Sequence, residues 1–284
     1  MSNATTATSK AGPREWIGLA VLTLPALLVS MDLSVLFMAV PWLSADLQPS
    51  AGQLLWIMDI YGFLMAGLLV TMGTLGDRIG RRRLLMVGAV AFGASSLLAA
   101  YSTGPEMLTL ARALLGVSGA TLAPSTLALL RNMFHHDGER RAAVGVWTAA
   151  FSAGFPLGAI IGGLLVERFW WGSVFLINLP VMALLLVLAR LLLPEFRDPS
   201  PRRFDLSGAA LSVAAVLTVI WGFKQLAENG WAAGPVALVA AGLALGYAFV
   251  RRQRSAAEPL IDIALFRRSA FSVSIAANTV VVFW

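Results

Sequence analysis

Three ionisable residues stand where ionisable residues are costly. Asp32, Asp59 and Arg112 each lie within a long run of apolar residues, whereas almost every other charge falls in the short polar segments between runs. A charge near the centre of a bilayer costs at least about 2.5 kcal/mol, so such residues face a cavity or a partner and mark a pathway. Carboxylates in that setting suit proton coupling. Burial favours the protonated acid, while an approaching cation favours the ionised form and releases the proton. Proton and cation then compete for one site, which is the physical requirement of antiport. A second reading of the same residues stays open: Asp32 or Asp59 serves as a structural counter-charge to Arg112 or caps a helix terminus.

Their depths agree with either reading. The connection between the first two apolar runs is centred near residues 45 and 46, and Asp32 and Asp59 each lie about 13.5 residues from it. At about 1.5 Å per residue they share a layer in the outer half of a helical bundle. Arg112 lies about one and a half turns from the outer end of the fourth run, near the same layer. Two carboxylates beside one guanidinium is the expected arrangement.

Helices must hold these residues. The chain is 58% apolar and 13% charged, against about 25% charged in soluble domains, which excludes a water-soluble fold. Each apolar run is long enough to cross a hydrocarbon core of about 30 Å as a helix. Runs such as 84–100 and 174–193 do not alternate apolar with polar, which excludes a membrane barrel. The fold class is therefore an all-α membrane protein. Spans are expected at about 16–40, 53–75, 84–101, 107–130, 142–165, 173–193, 206–226 and 234–250. The expected organisation is a disordered cytoplasmic tail (1–15), a six-helix domain (16–193), a cytoplasmic linker (194–205) and two further spans (206–250). A last segment (251–284) holds an amphipathic piece at 259–266 and the start of a truncated ninth span from Phe271.

The net charge of +6 follows the same topology. Basic residues fill alternate connections: Lys10 and Arg14; Arg78 and Arg81 to Arg83; Arg131, Arg140 and Arg141; Arg190, Arg197, Arg202 and Arg203; then Arg251 onward. Positive residues stay on the cytoplasmic side, so the amino terminus is expected inside. The basicity needs no nucleic-acid partner. Cysteine is absent, and the only histidines, His135 and His136, share a polar turn with no metal-ligand spacing, nucleophile arrangement or P-loop nearby. No enzyme, cofactor or metal is expected.

One connection carries a denser signal. Gly73-Thr-Leu-Gly-Asp77-Arg78-Ile-Gly80-Arg81-Arg82-Arg83 joins spans two and three. Glycine permits a tight turn, and Asp77 is placed to pair with arginine or cap a helix. This order of residues resembles the signature loop of the major facilitator superfamily. Arg112-Ala-Leu-Leu-Gly116-Val-Ser-Gly119-Ala120 resembles that superfamily's second motif, and Gly154-Phe-Pro156-Leu-Gly158-Ala159-Ile-Ile-Gly162-Gly163 its antiporter motif, with Ala159 at the usual proline and Pro156 three residues earlier. Met31-Asp32-Leu with Val40-Pro41, Leu55-Trp56-Ile-Met-Asp59-Ile-Tyr61 and Phe175-Leu-Ile-Asn178-Leu-Pro180 resemble the QacA and SmvA group of fourteen-span drug:proton antiporters, over nearly the whole chain from Trp16.

The resemblance implies a major facilitator fold of pseudo-symmetric six-helix halves, with spans seven and eight inserted between them and the substrate path between the halves. It places Asp32 and Arg112 toward that path, with Phe37, Met38, Trp56, Met58 and Tyr61 as candidate apolar and cation-π contacts. It implies proton-coupled efflux of lipophilic, often cationic compounds from the cytoplasmic membrane, with Gly73, Asp77, Arg78, Gly80 and Arg81 as a conformational switch. Export of an endogenous metabolite or antibiotic is the alternative. A third is a truncated, non-transporting protein, because the resemblance leaves a carboxy-terminal half, or a second chain, to be supplied.

Overall fold

A computed structural model describes residues 10–197 and 205–255 of the chain, together with Val273. Among the described residues there are nine helices and no strand: α1 (Pro13–Leu47), α2 (Ala51–Ile79), α3 (Arg81–Ala100), α4 (Pro105–Met133), α5 (Asp137–Arg168), α6 (Ser173–Leu176), α7 (Asn178–Leu192), α8 (Leu206–Asn229) and α9 (Ala233–Ser255). Helices α6 and α7 together make one span, which gives eight long apolar elements. Residues 1–9 of the expected tail, the linker residues 198–204, the amphipathic piece at 259–266 and, apart from Val273, the ninth apolar run lie outside the described residues.

The helices overrun the apolar runs because hydrogen bonding continues until a cap ends it. Helix α1 begins at Pro13, three residues before the expected Trp16, with the Gly12 N–H donating to Glu15 at 2.8 Å. It also runs through Pro41 to Leu47 rather than ending there. Proline costs a hydrogen bond and a steric contact but is tolerated in membrane helices where neighbours satisfy the freed carbonyl. Ser50 starts α2 with a capping box: its Oγ accepts from Gln53 N at 3.2 Å, and Gln53 Oε1 accepts from Ser50 N at 2.9 Å. The break between α6 and α7 has a local cause. Pro180 has no N–H to give to the carbonyl four residues back, so the helix restarts at Asn178.

The chain divides into two compact units, Met1–Pro201 and Arg202–Trp284. In the first, α1 packs chiefly on α5, α2 on α4, and α3 on α4 and α7. Helix α1 is the most enclosed span. Its contact with α5 rests on a glycine ridge. A Cβ added at Gly154 would collide with the Leu27 carbonyl, one at Gly158 with Ser34 Oγ, and one at Gly162 would sit 2.9 Å from Val35 Cγ2. These glycines recur every four residues on one helix face, so two backbones meet where side chains would hold them apart. Gly163 is off the ridge, with nothing within 4 Å of its Cβ position, and Pro156 is exposed.

In the second unit α8 and α9 form an antiparallel hairpin, with Gly222 against Val239 and Gly242 against Val219. Asp205 caps α8, its Oδ1 accepting from Gly208 N at 2.9 Å. The same carboxylate takes two bonds from Arg252 of α9, at 2.9 and 3.1 Å. The fork-on-fork pair with Arg252, helped by the cap bond, holds the Asp205 carboxyl down at about 2.

Two outcomes follow. Gly158→Val is expected to lose most folded protein on size exclusion in mild detergent, whereas Gly163→Ala is expected to match the parent chain. Because the Asp205 carboxyl is depressed in the folded state, its contribution to hairpin stability is complete above the ordinary carboxylate range and fades as pH falls from about 4 toward about 2. A carboxyl NMR titration that places the Asp205 midpoint near 4 would contradict the pairing.

Candidate functional site

Asp32 and Arg112 meet in the centre of the first unit, with residue exposures of 1% and 0%. Arg112 Nη1 donates to Asp32 Oδ2. Arg112 Nε donates to the Ile57 carbonyl of α2 at 3.2 Å, and the guanidinium carbon stands 4.6 Å from the centroid of the Tyr61 ring. The Tyr61 hydroxyl, fully buried, donates to the Val29 carbonyl of α1 at 3.0 Å. On the other side of the carboxylate, Asn178 Nδ2 donates to Asp32 Oδ1 at 3.4 Å and to Ser96 Oγ of α3 at 3.0 Å. Five helices, α1, α2, α3, α4 and α7, therefore converge on one charge pair.

The local sequence makes room for it. A Cβ at Gly116 would lie 2.5 Å from the Tyr61 carbonyl, and one at Gly119 3.3 Å from the Tyr61 hydroxyl. The spacing Arg112, Gly116, Gly119 on α4 thus lets α2 approach closely enough to lay a tyrosine ring over the arginine. Arginine stays protonated and stacks on aromatic faces, so the ring, the Ile57 carbonyl and Asp32 together replace the water this charge has lost.

The sequence expectations meet this site unevenly. Asp32, Arg112 and Tyr61 come together, and Tyr61 is enclosed rather than open to a cavity. Asp59 is half-buried on α2; the hydrogen bond described from Arg112 to that helix goes to Ile57, two residues earlier. Trp56 and Met58 are half-buried, while Phe37 and Met38 are exposed on α1. Reading by charge missed Ser96 and missed Asn178 as a partner of Asp32. The signal available was an uncharged polar residue inside each apolar run.

A second cluster surrounds the turn between α2 and α3. Gly80 has φ +111°, a conformation that side chains rarely adopt. A Cβ there would also lie 2.5 Å from Glu195 Oε1. Asp77 pairs with Arg81 one turn on, Arg78 is exposed, and Gly73 lies near Pro124 of α4, 3.9 Å from its Cβ position. Glycine offers α3 no side-chain cap, so the segment after α7 supplies one. Glu195 Oε1 accepts from Arg82 N at 3.1 Å, and the Phe196 carbonyl accepts from Arg81 N at 2.9 Å. Arg82 also donates to the Leu193 carbonyl at 2.9 Å, and the Glu195 carboxylate lies 3.6 Å from Arg82 and 3.8 Å from Arg83. Sequence reading left Glu195 in a linker. Its signal was an acid directly after the sixth span, on the side that holds the four arginines.

A buried ion pair broken at one partner leaves an uncompensated charge worth about 3 to 5 kcal/mol. Asp32→Leu and Arg112→Met are each expected to lose stability on that scale, and the double variant to regain at least half of the summed loss. Reversible unfolding in mixed micelles, run as a double-mutant cycle, measures this; additive losses would show that the two side chains do not depend on one another.

Comparison with known proteins fits this geometry. The Major Facilitator Superfamily model matches residues 22–282. Multidrug efflux pump LfrA of Mycolicibacterium smegmatis is 47% identical over 274 residues, covering 96% of this chain and 54% of the relative. Methyl viologen resistance protein SmvA of Salmonella typhimurium is 38% identical, covering 89% and 51%, and a probable actinorhodin transporter of Streptomyces coelicolor is 39% identical, covering 95% and 49%. The chain spans about half the length of these relatives. Among solved structures, the human organic anion transporter MFSD10 (TETRAN) superposes with a TM-score of 0.54 over 73% of this chain and 55% of that one, at 19% identity. With the family model matched along most of its length and eight helices among the described residues long and apolar enough to cross a membrane, the chain is a multi-pass membrane protein and belongs to the Major Facilitator Superfamily.

Proposed function

We propose that this chain forms the amino-terminal part of a secondary transporter that exports lipophilic, often cationic compounds across the cytoplasmic membrane in exchange for protons. The observation that carries the reading is the fully buried Asp32–Arg112 pair, held between two apolar helices. The proton that neutralises Asp32 has to come from outside the pair, because Arg112 does not give up its own at physiological pH. A proton arriving from outside neutralises Asp32 and loosens Arg112; its departure restores the pair. A substrate cation competes with the proton for the same carboxylate. Related proteins named as a multidrug efflux pump and a methyl viologen resistance protein support the substrate class, since methyl viologen is an organic cation.

The rest of the organisation follows this reading. Residues 16–193 form the six-helix transport domain, residues 206–250 two extra spans, and the remaining length of the relatives supplies the second half of the path. The amino terminus is cytoplasmic, so that the arginines of the α2–α3 and α4–α5 connections lie inside. Asp59, Trp56 and the exposed Phe37 and Met38 are assigned to the substrate side of α1 and α2. Asp77, Gly80 and Arg81 belong to the inner turn that changes partners as the path alternates.

A second reading has an observation of its own. The relatives include a probable actinorhodin transporter and a tetracenomycin C resistance and export protein, both from Streptomyces, which fits export of a compound the host itself makes. Intracellular accumulation of one metabolite after deletion of the gene would select this reading.

The test of proton-coupled efflux is dye export from energised cells expressing the protein that carries this chain. Asp32→Asn and a protonophore are each expected to reduce efflux to background. Wild-type efflux from the Asp32→Asn variant would sink the assignment of Asp32.

A further inference from the structure

The polar atoms on the far side of Asp32 are not needed to balance its charge, which Arg112 does, yet they are buried at a cost. Asn178 is 1% exposed and Ser96 0%. The Asn178 amide nitrogen donates to both Asp32 Oδ1 and Ser96 Oγ, while its oxygen accepts no hydrogen bond. A buried amide oxygen without a partner is uncommon in a packed core. The residue also begins α7, at the helix break and two residues before Pro180.

We propose that Asn178, held by Ser96, is a positioning residue for the proton site, whose amide turns over when Asp32 changes protonation state. With Asp32 ionised, the carboxylate can only accept, and the amide presents its NH2 as observed. When a proton adds to Asp32 Oδ1, that atom becomes an O–H donor, and an amide nitrogen facing it has nothing to accept with. A half-turn of the amide brings its oxygen to face the new O–H. The Ser96 hydroxyl, a donor as well as an acceptor, turns with it and donates to the same oxygen. No bond is made or broken other than the O–H of the acid. Each state uses one half of the amide and leaves the other half idle, which accounts for the unpartnered oxygen.

The proposal rests on the reading of Asp32 as the proton site. The charged and titratable groups around Asp32 are few. Helix α4 contributes Arg112, α2 contributes Tyr61 over the guanidinium and carries the half-buried Asp59, and α5 presents Gly154 and Gly158 to this stretch of α1. From α3 and α7 come the uncharged Ser96 and Asn178.

The test is infrared difference titration of the purified chain in lipid nanodiscs, with the Asp32 carboxyl band identified by its loss in Asp32→Asn. Asn178→Leu, which keeps the branching and the number of side-chain heavy atoms and removes both halves of the amide, is expected to move the acid carbonyl band toward the frequency of a free carboxyl. It is also expected to raise the proton affinity about tenfold, because the bond lost to the charged form is the stronger one. The hydrogen bond described for the Ser96 hydroxyl is to Asn178 and not to Asp32, so a smaller shift in the same direction is expected from Ser96→Ala, acting through Asn178. The wild-type chain with 13C-labelled asparagine needs no substitution: an amide band is expected to change with the same midpoint as the acid. An Asp32 band whose frequency and midpoint ignore both substitutions, or an amide band that stays fixed through the titration, overturns the role of Asn178 and leaves the proton site standing. If Asp32→Asn removes no titrating band, the proton site itself fails and the positioning role with it.

Discussion

A guanidinium with no exposed surface sets the terms for the rest of the first unit. Arg112 keeps its charge at any physiological pH, so the surrounding helices cannot lower the cost by neutralising it. They must instead rebuild its solvation. Asp32 supplies the opposite charge, Ile57 a carbonyl and Tyr61 a ring face. Asp32 comes from α1 and both Ile57 and Tyr61 from α2, and each fixes a packing decision. The glycines at 116 and 119 on α4 exist in this arrangement to let Tyr61 reach its place. The glycine ridge at 154, 158 and 162 fixes α1 against α5 over the stretch that carries Asp32. A buried pair of this kind contributes little net stability compared with apolar packing of the same volume, so its presence in the middle of five helices argues for a role beyond holding them together.

The sequence made this centre legible because charges are conspicuous among apolar residues, and because depth in a helix follows from counting. Asp32 and Arg112 were placed in one layer by that count and are in contact. The count fixes height and not the direction a side chain faces; rotation about the helix axis decides that, and rotation is set by packing. Asn178 and Ser96 stayed hidden for another reason. An uncharged amide or hydroxyl inside a membrane helix is inexpensive enough to be common, so it raises no alarm in sequence. The break in the sixth span before Pro180 was not read from the sequence, because the apolar run continues through it. The ends of the helices were less readable than their middles, because hydropathy registers the apolar stretch while hydrogen bonding runs on to the caps.

The two charged clusters solve the same problem by different means. At the turn between α2 and α3, the first N–H groups of α3 lack a cap because only glycine fits the backbone at Gly80. The segment that follows α7 caps them from a distance through Glu195 and Phe196. The start of the third span is thereby tied to the end of the sixth, and a residue that composition assigns to a linker becomes part of the fold.

Exposure separates what each cluster can do. Arg83 is largely open to solvent and Glu195 partly so, and ion pairs of that kind are weak and screened by salt. Such contacts break and re-form at little cost, which fits the exchange of partners proposed for this turn. The central pair has no such freedom. Pulling Asp32 away from Arg112 inside the bundle strands two charges, whereas protonating Asp32 removes one of them and leaves the other to its carbonyl and ring. In the centre the inexpensive way to loosen the contact is therefore to add a proton, and at the rim it is to move. Helices α2 and α3 carry residues of both clusters and α7 leads from one to the other, so under the proposed function protonation at the middle is the event that releases the rim.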